Sequence, residues 1–335
     1  AGTILSGVGV ADALMQPAKT YLQIVGGFCI LNALIPICSS YLRAFGFSKE
    51  PLYASIIGNV INFCLNAFFL FVLHKGVAGV ATATVISRII NLVIVVLLGA
   101  VLVKAKQHPE RESNRAVMGQ IIRIGLPSAC ETAIYNVSMT LVIRFLNQMD
   151  AQGLNVTARS YTMQITNFSY CVGAALAQAN AIMTGWHIGA KEYDACDRGT
   201  KKAAVIGVIV AVILETVFTL CSGWIMQLFS KDPQMVSLVG KLLAIDIVLE
   251  IGRVTNLVYG QALKTSGDAV FPVVMGVCFM ILCSVGGTYL FGIRLGLLAV
   301  GAYIGMAGDE CVRAIGMYLR WKSGKWKEKG LVKSR

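Results

Sequence analysis

Apolar residues run along this chain in long, nearly unbroken stretches, separated by short segments of charged residues, glycine and proline. Two-residue alternation, the mark of a half-exposed strand, is absent, and the stretches are too wide for the apolar stripe of a surface helix. A helix needs about 20 mostly apolar residues to cross hydrocarbon about 30 Å thick. The pattern predicts about nine such spans, at 21–42, 52–73, 77–103, 117–146, 154–187, 201–228, 235–264, 270–292 and 297–320. Breakers such as Phe47-Ser48-Lys49-Glu50-Pro51, His74-Lys75-Gly76, Ser230-Lys231-Asp232-Pro233 and Ser266-Gly267-Asp268 join them in short loops, so consecutive helices run antiparallel. Thr3 to Val10 reads as the tail of a further apolar helix.

The stretches repeat. Leu42-Arg43-Ala44-Phe45-Gly46 followed by Pro51 has the layout of Leu263-Lys264-Thr265-Ser266-Gly267 followed by Pro272. Gly76-Val77-Ala78-Gly79-Val80 is echoed by Gly296-Leu297-Leu298-Ala299-Val300. An offset of about 220 residues sets the first three spans against the last three in the same orientation, a parallel repeat about the membrane normal of the kind transporters use. The longest polar connection, Lys104 to Arg115, then divides the chain. Residues 1–103 are expected to be the second half of one lobe, 104–116 an inter-lobe linker, 117–320 a six-helix lobe and 321–335 a basic tail. The fold class expected is an all-α integral membrane protein, about nine helices of a twelve-helix, two-lobe parallel repeat, and the chain reads as a fragment lacking roughly three N-terminal helices.

Composition agrees: the mean hydropathy is +0.70 and only 14% of residues are charged, where a soluble domain carries about 25%. The net charge of +12 changes the picture only through its placement. Nearly all loop lysines and arginines fall on alternate connections and the tail, while the opposite loops hold Lys19, Lys75, Lys231 and Arg294. By the positive-inside rule the linker and the C-terminus are cytoplasmic and His74-Lys75 external, in a multi-pass protein of the plasma membrane. The tail Arg320-Trp321-Lys322-Ser323-Gly324-Lys325-Trp326-Lys327 is expected on the anionic inner leaflet, so membrane lipid is the partner and nucleic acid is not. The ten cysteines form no CxxC pair, and no metal site or cofactor is indicated.

A charge near the bilayer centre costs at least about 2.5–3.5 kcal/mol, so each asks for a partner, a wet cavity or a function. Glu131 and Glu215 lie mid-span with no partner on their own helix. Glu250 with Arg253 and Asp309 with Arg313 stand at i,i+3 and i,i+4, beside Glu310, and can pair within one helix, as packing devices or as parts of a site. Arg88 and Arg159 are expected to cap or snorkel. Tyr161, Met163, Gln164, Asn167 and Phe168 are candidate walls of a substrate cavity, although Met and aromatic stripes also serve packing.

Tyr41 to Gly46 with Pro51, Gly58-Asn59-Val60-Ile61-Asn62, Gly76 to Thr84, Ile124-Gly125-Leu126-Pro127-Ser128-Ala129 and Gly260 to Asp268 stand in the order and spacing of one family. The chain resembles the multidrug and toxic compound extrusion (MATE) transporters over nearly its whole length, as their fourth to twelfth helices. The resemblance implies a cation-coupled antiporter that exports small amphipathic, often cationic organic compounds by alternating access, expected to be a monomer. It also implies that Glu131, just after Leu126-Pro127, binds the coupling Na+ or H+; from their mid-span positions Glu250 and Asp309 are expected to help it, with Arg253, Arg313, Glu215 and Glu310 as a supporting charge network. Two positions depart from the family: Asn66 stands where an Asp is common, and the Asp of the second lobe's fourth helix is replaced near Arg253. The alternative is a flippase of the same superfamily for a lipid-linked precursor or polysaccharide. An intramembrane enzyme is not expected, since His74, His108 and His187 all sit at loops or span ends.

Overall fold

The structure is a computed structural model that describes residues 12–104, 114–149 and 153–329. The expected linker and the stretch Thr3 to Val10 therefore lie mostly or wholly outside the described residues. Among the described residues the chain is helical throughout, with no strand. The helices are α1 Asp12–Gly27, α2 Leu31–Ala44, α3 Lys49–Ala67, α4 Gly76–Lys104, α5 Asn114–Met149, α6 Leu154–Gly189, α7 Tyr193–Leu220, the short α8 Ser222–Met226, α9 Pro233–Thr265, α10 Val270–Phe279 and α11 Leu298–Lys322. The chain divides into two compact units, Ala1–Arg111 and Glu112–Arg335.

In unit 1 the expected span 21–42 is two helices, α1 and α2, bent by 40° at Phe28–Ile30. The amides of Cys29 and Leu31 turn back onto the carbonyls of Gly26 and Phe28, and the Gly26-Gly27 pair supplies the weak point. α4 packs against α1, α2 and α3. Their polar contact is neutral: Asn66 Nδ2 donates to Asn62 Oδ1 (3.0 Å) and Asn62 Nδ2 to Ser87 Oγ (3.1 Å).

In unit 2 the hub is α9, which packs on α6, α7 and α11. Asp232 starts it, its Oδ1 accepting from the Gln234 amide (3.0 Å), with Pro233 in the first turn, where a missing N–H costs nothing. Helices in a bilayer gain no hydrophobic drive from meeting one another, so close packing has to hold them together. Gly252 allows that closeness: a Cβ there would stand 2.7 Å from the amide nitrogen of Cys311 on α11.

The two sequence echoes have the same local backbone. Gly46 (φ +89°) and Gly267 (φ +92°) are left-handed, and the amides of Gly46 and Phe47 bond to Arg43 and Leu42 as those of Gly267 and Asp268 bond to Lys264 and Leu263. α3 then runs into a π-helical turn at Phe68–Val72, and α10 into π-helical turns at Met280–Val285 and Thr288–Arg294. Lys75 N–H to Phe69 O (3.0 Å) matches Leu297 N–H to Phe291 O (3.1 Å).

Among the described residues four helices are long and apolar enough to cross a membrane, Lys49–Val72, Gly76–Val103, Tyr193–Leu220 and Val270–Arg294, and the bent α1–α2 pair, taken as one span, makes a fifth. The other long helices, α5, α6, α9 and α11, are too polar for that test among the described residues. They hold Glu131, Arg159, Asp246, Glu250, Arg253, Asp309, Glu310 and Arg313.

Candidate functional site

Those four polar helices, with α10, wall a cavity of about 540 Å³ inside unit 2. The volume suits a drug-sized ligand. α6 contributes Arg159, Met163, Thr166, Asn167 and Tyr170, and α9 contributes Asp246, Arg253, Leu257, Gly260 and Lys264. Both sets follow the i, i+3, i+4, i+7 rule of one helix face.

Charge is organised on three walls. Glu131 of α5 accepts from Lys264 Nζ of α9 at 2.6 Å, with both side chains about one-fifth exposed. Arg253 pairs with the fully buried Glu250 on its own helix and faces Glu310 of α11 at 3.8 Å. Arg313 pairs with Asp309 (2.9 Å) and Glu310 (2.8 Å), and Asn256 Nδ2 donates to Glu310 (3.0 Å). The π-helical turn of α10 brings Ser284 Oγ to Asp309 Oδ2 at 3.0 Å. Such turns interrupt helices mostly where function or an inserted contact needs them. Glu215 of α7 lies behind the cavity, fully buried, and neither oxygen makes a hydrogen bond among the described residues.

Outside the spans, Asp268 in the α9–α10 loop accepts from Arg320 Nε and Lys329 Nζ, each at 2.7 Å. Burial pushes its carboxyl up, but these two cations outweigh that and hold it below the usual carboxylate range. The tail is folded onto the same end. Trp321 and Trp326 are stacked at 4.2 Å and buried, and their ring N–H groups donate to Asp197 and to the carbonyl of Trp321.

A family model described as MatE matches residues 1–68 and 127–290. The uncharacterized transporter YisQ of Bacillus subtilis is 34% identical over 98% of this chain and 73% of its own length. This chain belongs to the MATE family. The probable multidrug resistance protein NorM of Thermotoga maritima is 22% identical over 94% of the chain and 68% of its own length. A crystal structure of MATE in the straight conformation superposes with a TM-score of 0.85 at 18% identity, covering 98% of this chain and 74% of that one, which establishes the fold. MATE proteins are multidrug efflux transporters of the membrane, and the all-α transporter fold expected from the sequence is the one observed.

Within this MATE chain the structure puts Glu131, Glu310, Arg253 and Arg313 on the cavity wall, with Glu250 and Asp309 paired just behind it. Glu131 is not the lone charge its own helix suggests, because Lys264 reaches it from 133 residues away. Of the expected substrate residues, Met163 and Asn167 line the cavity. Tyr161 instead packs on Phe229, while Gln164 and Phe168 are exposed on another face of α6, because 161, 164 and 168 fall on a different helical stripe from 163, 166, 167 and 170. Arg159 does not snorkel: it is 6% exposed and faces the cavity. The tail, as far as Lys329, folds back on unit 2 through the buried Trp321 and Trp326 and the Lys329–Asp268 contact, while Lys322, Lys325 and Lys327 stay exposed. Sequence reasoning missed Asp246, Lys264 and Arg159. The stripe Asp246, Arg253, Leu257, Gly260, Lys264 on one face of a single helix was the signal available.

Proposed function

We propose that this protein is a cation-coupled antiporter that exports amphipathic organic compounds from the cell by alternating access, with Glu131 as the principal coupling carboxylate and Glu250 and Asp309 as its helpers. The observation that carries the reading is the Glu131–Lys264 pair on the cavity wall. A carboxylate held by one lysine inside a drug-sized cavity is a site where an internal cation, an external Na+ or H+ and a cationic substrate compete for the same negative charge. Exclusive occupancy of one site by ion or by substrate is what exchange requires, since a ligand shifts the conformational equilibrium only through its differential affinity for the two states. Arg253 and Arg313, each shared between carboxylates of α9 and α11 or within α11, would keep these walls together while the site changes occupant. The protein would lie in the plasma membrane with the basic end of unit 2, where Lys191, Lys201, Lys322 and Lys327 gather, in the cytoplasm.

The test is Glu131→Gln, which keeps the shape and polarity of the side chain and removes its charge. Reconstituted vesicles carrying this variant should lose export of an ethidium-like cation driven by an imposed Na+ or H+ gradient, by about tenfold or more, at unchanged protein level. Wild-type export by Glu131→Gln would place coupling elsewhere.

A further inference from the structure

Subtracting the ion pairs from the cavity leaves two charges over. Four cations line it, Arg159, Arg253, Lys264 and Arg313. The last three are each held by carboxylates at hydrogen-bond or near-contact distance. Among the described residues Arg159 has no ion pair; its guanidinium donates to Met139 Sδ at 3.9 Å, and its Nε is buried without a hydrogen bond. Asp246 is the complement: it lines the cavity, is 2% exposed, makes no ion pair among the described residues, and its Oδ2 is buried without a hydrogen bond. The cation nearest in effect to Asp246 is Arg253, which Glu250 already holds.

Arg159 and Asp246 do not pair with each other, yet both line the same cavity as Tyr303, a tyrosine of α11 that is 1% exposed. The cavity thus carries an unanswered positive group on α6 and an unanswered negative group on α9. Leaving such groups buried and unpaired is expensive, and a ligand that answers both gains what the empty protein lacks. A guanidinium with free N–H groups matches a carboxylate in particular, because its planar fork can donate two parallel hydrogen bonds.

We propose that Arg159 and Asp246 form a zwitterion-recognition site in the unit 2 cavity, Arg159 binding a carboxylate and Asp246 the cationic centre of the same amphipathic molecule. This rests on the exporter reading above and narrows its substrate class. Met163, Tyr170 and Met306 supply the apolar wall for the body of such a molecule. Asp246 lies in the same cavity as Glu131, so a cationic centre held there and an ion at Glu131 repel and exclude each other, which keeps the competition that exchange requires.

The probe pair is rhodamine B, a zwitterion at neutral pH, and its ethyl ester, the same xanthene cation with the carboxylate masked. Fluorescence titration of the purified protein should give a Kd for rhodamine B about tenfold below that of the ester. Arg159→Gln should erase this difference by weakening the acid alone, and Arg159→Lys should keep part of it. Equal affinity for the two dyes in the wild type, or tighter binding of the ester, overturns the proposal. If Arg159→Gln weakens both dyes, Arg159→Lys decides: a kept preference for the acid upholds the site, and equal binding overturns it. Export of both dyes without preference would sink this inference and leave the exporter reading standing. Binding of neither would overturn both.

Discussion

Arg253 is shared by two buried carboxylates. It holds Glu250, which is fully buried on the same helix, and reaches Glu310 on α11. Removing one partner of a buried pair leaves an uncompensated charge and costs about 3–5 kcal/mol, whereas a pair removed together can be nearly neutral. Arg253→Ala should therefore lower thermal stability in detergent sharply, and Arg253→Met combined with Glu250→Leu should recover much of the loss. Equal destabilisation by the single and the double variant would show that Arg253 acts through something other than Glu250. The i,i+3 spacing made this pair legible from sequence alone. Glu131–Lys264 was not legible, because nothing along a chain states which charge meets another 133 positions away, and a lysine at a helix end reads first as a loop cation.

At the scale of elements, the end of unit 2 where α7, the α9–α10 loop and α11 meet is closed by the tail. Arg320 stacks over Phe271 at 5.0 Å while its Nε holds Asp268, and the chain then turns at Gly324 (φ +71°) to lay Trp326 on Trp321. A carboxyl whose folded value lies below its unfolded value of about 3.9 adds stability that is full above that pH and is lost as pH falls through the folded value. Asp268→Asn should cost about 1–2 kcal/mol at neutral pH and flatten the acid limb of the stability curve below about pH 4, read by the fluorescence of the buried tryptophans. Identical pH curves for variant and wild type would remove Asp268 from the account. The long helices themselves were legible, because spans of this length leave few alternatives. The break at Phe28–Ile30 and the π-helical turns of α10 were not, since apolar runs look alike whether the backbone inside them is α, π or bent. One such turn decides where Ser284 meets Asp309, so part of the candidate site was hidden with it.

For the whole molecule, two claims can be separated by experiment. The proposed topology, argued from the bias of lysine and arginine toward one set of chain ends, has Lys75 outside and the α11 tail inside. In a cysteine-free background, Lys75→Cys should react with an impermeant maleimide on intact cells, and Lys327→Cys only after permeabilisation; the reverse pattern would invert the topology. The family and its fold could be read from five short motifs in order, while the proposed coupling chemistry depends on side chains that three helices bring together. The most direct measurement of that chemistry is equilibrium binding of a cationic dye to the purified protein across rising Na+ at fixed pH, and across falling pH at fixed Na+. The account predicts that one of the two cations raises the apparent Kd of the dye in proportion to its concentration without changing the number of sites, and that Glu131→Gln abolishes this competition. A dye affinity that neither cation changes in the wild type, or a competition that persists in Glu131→Gln, would contradict it.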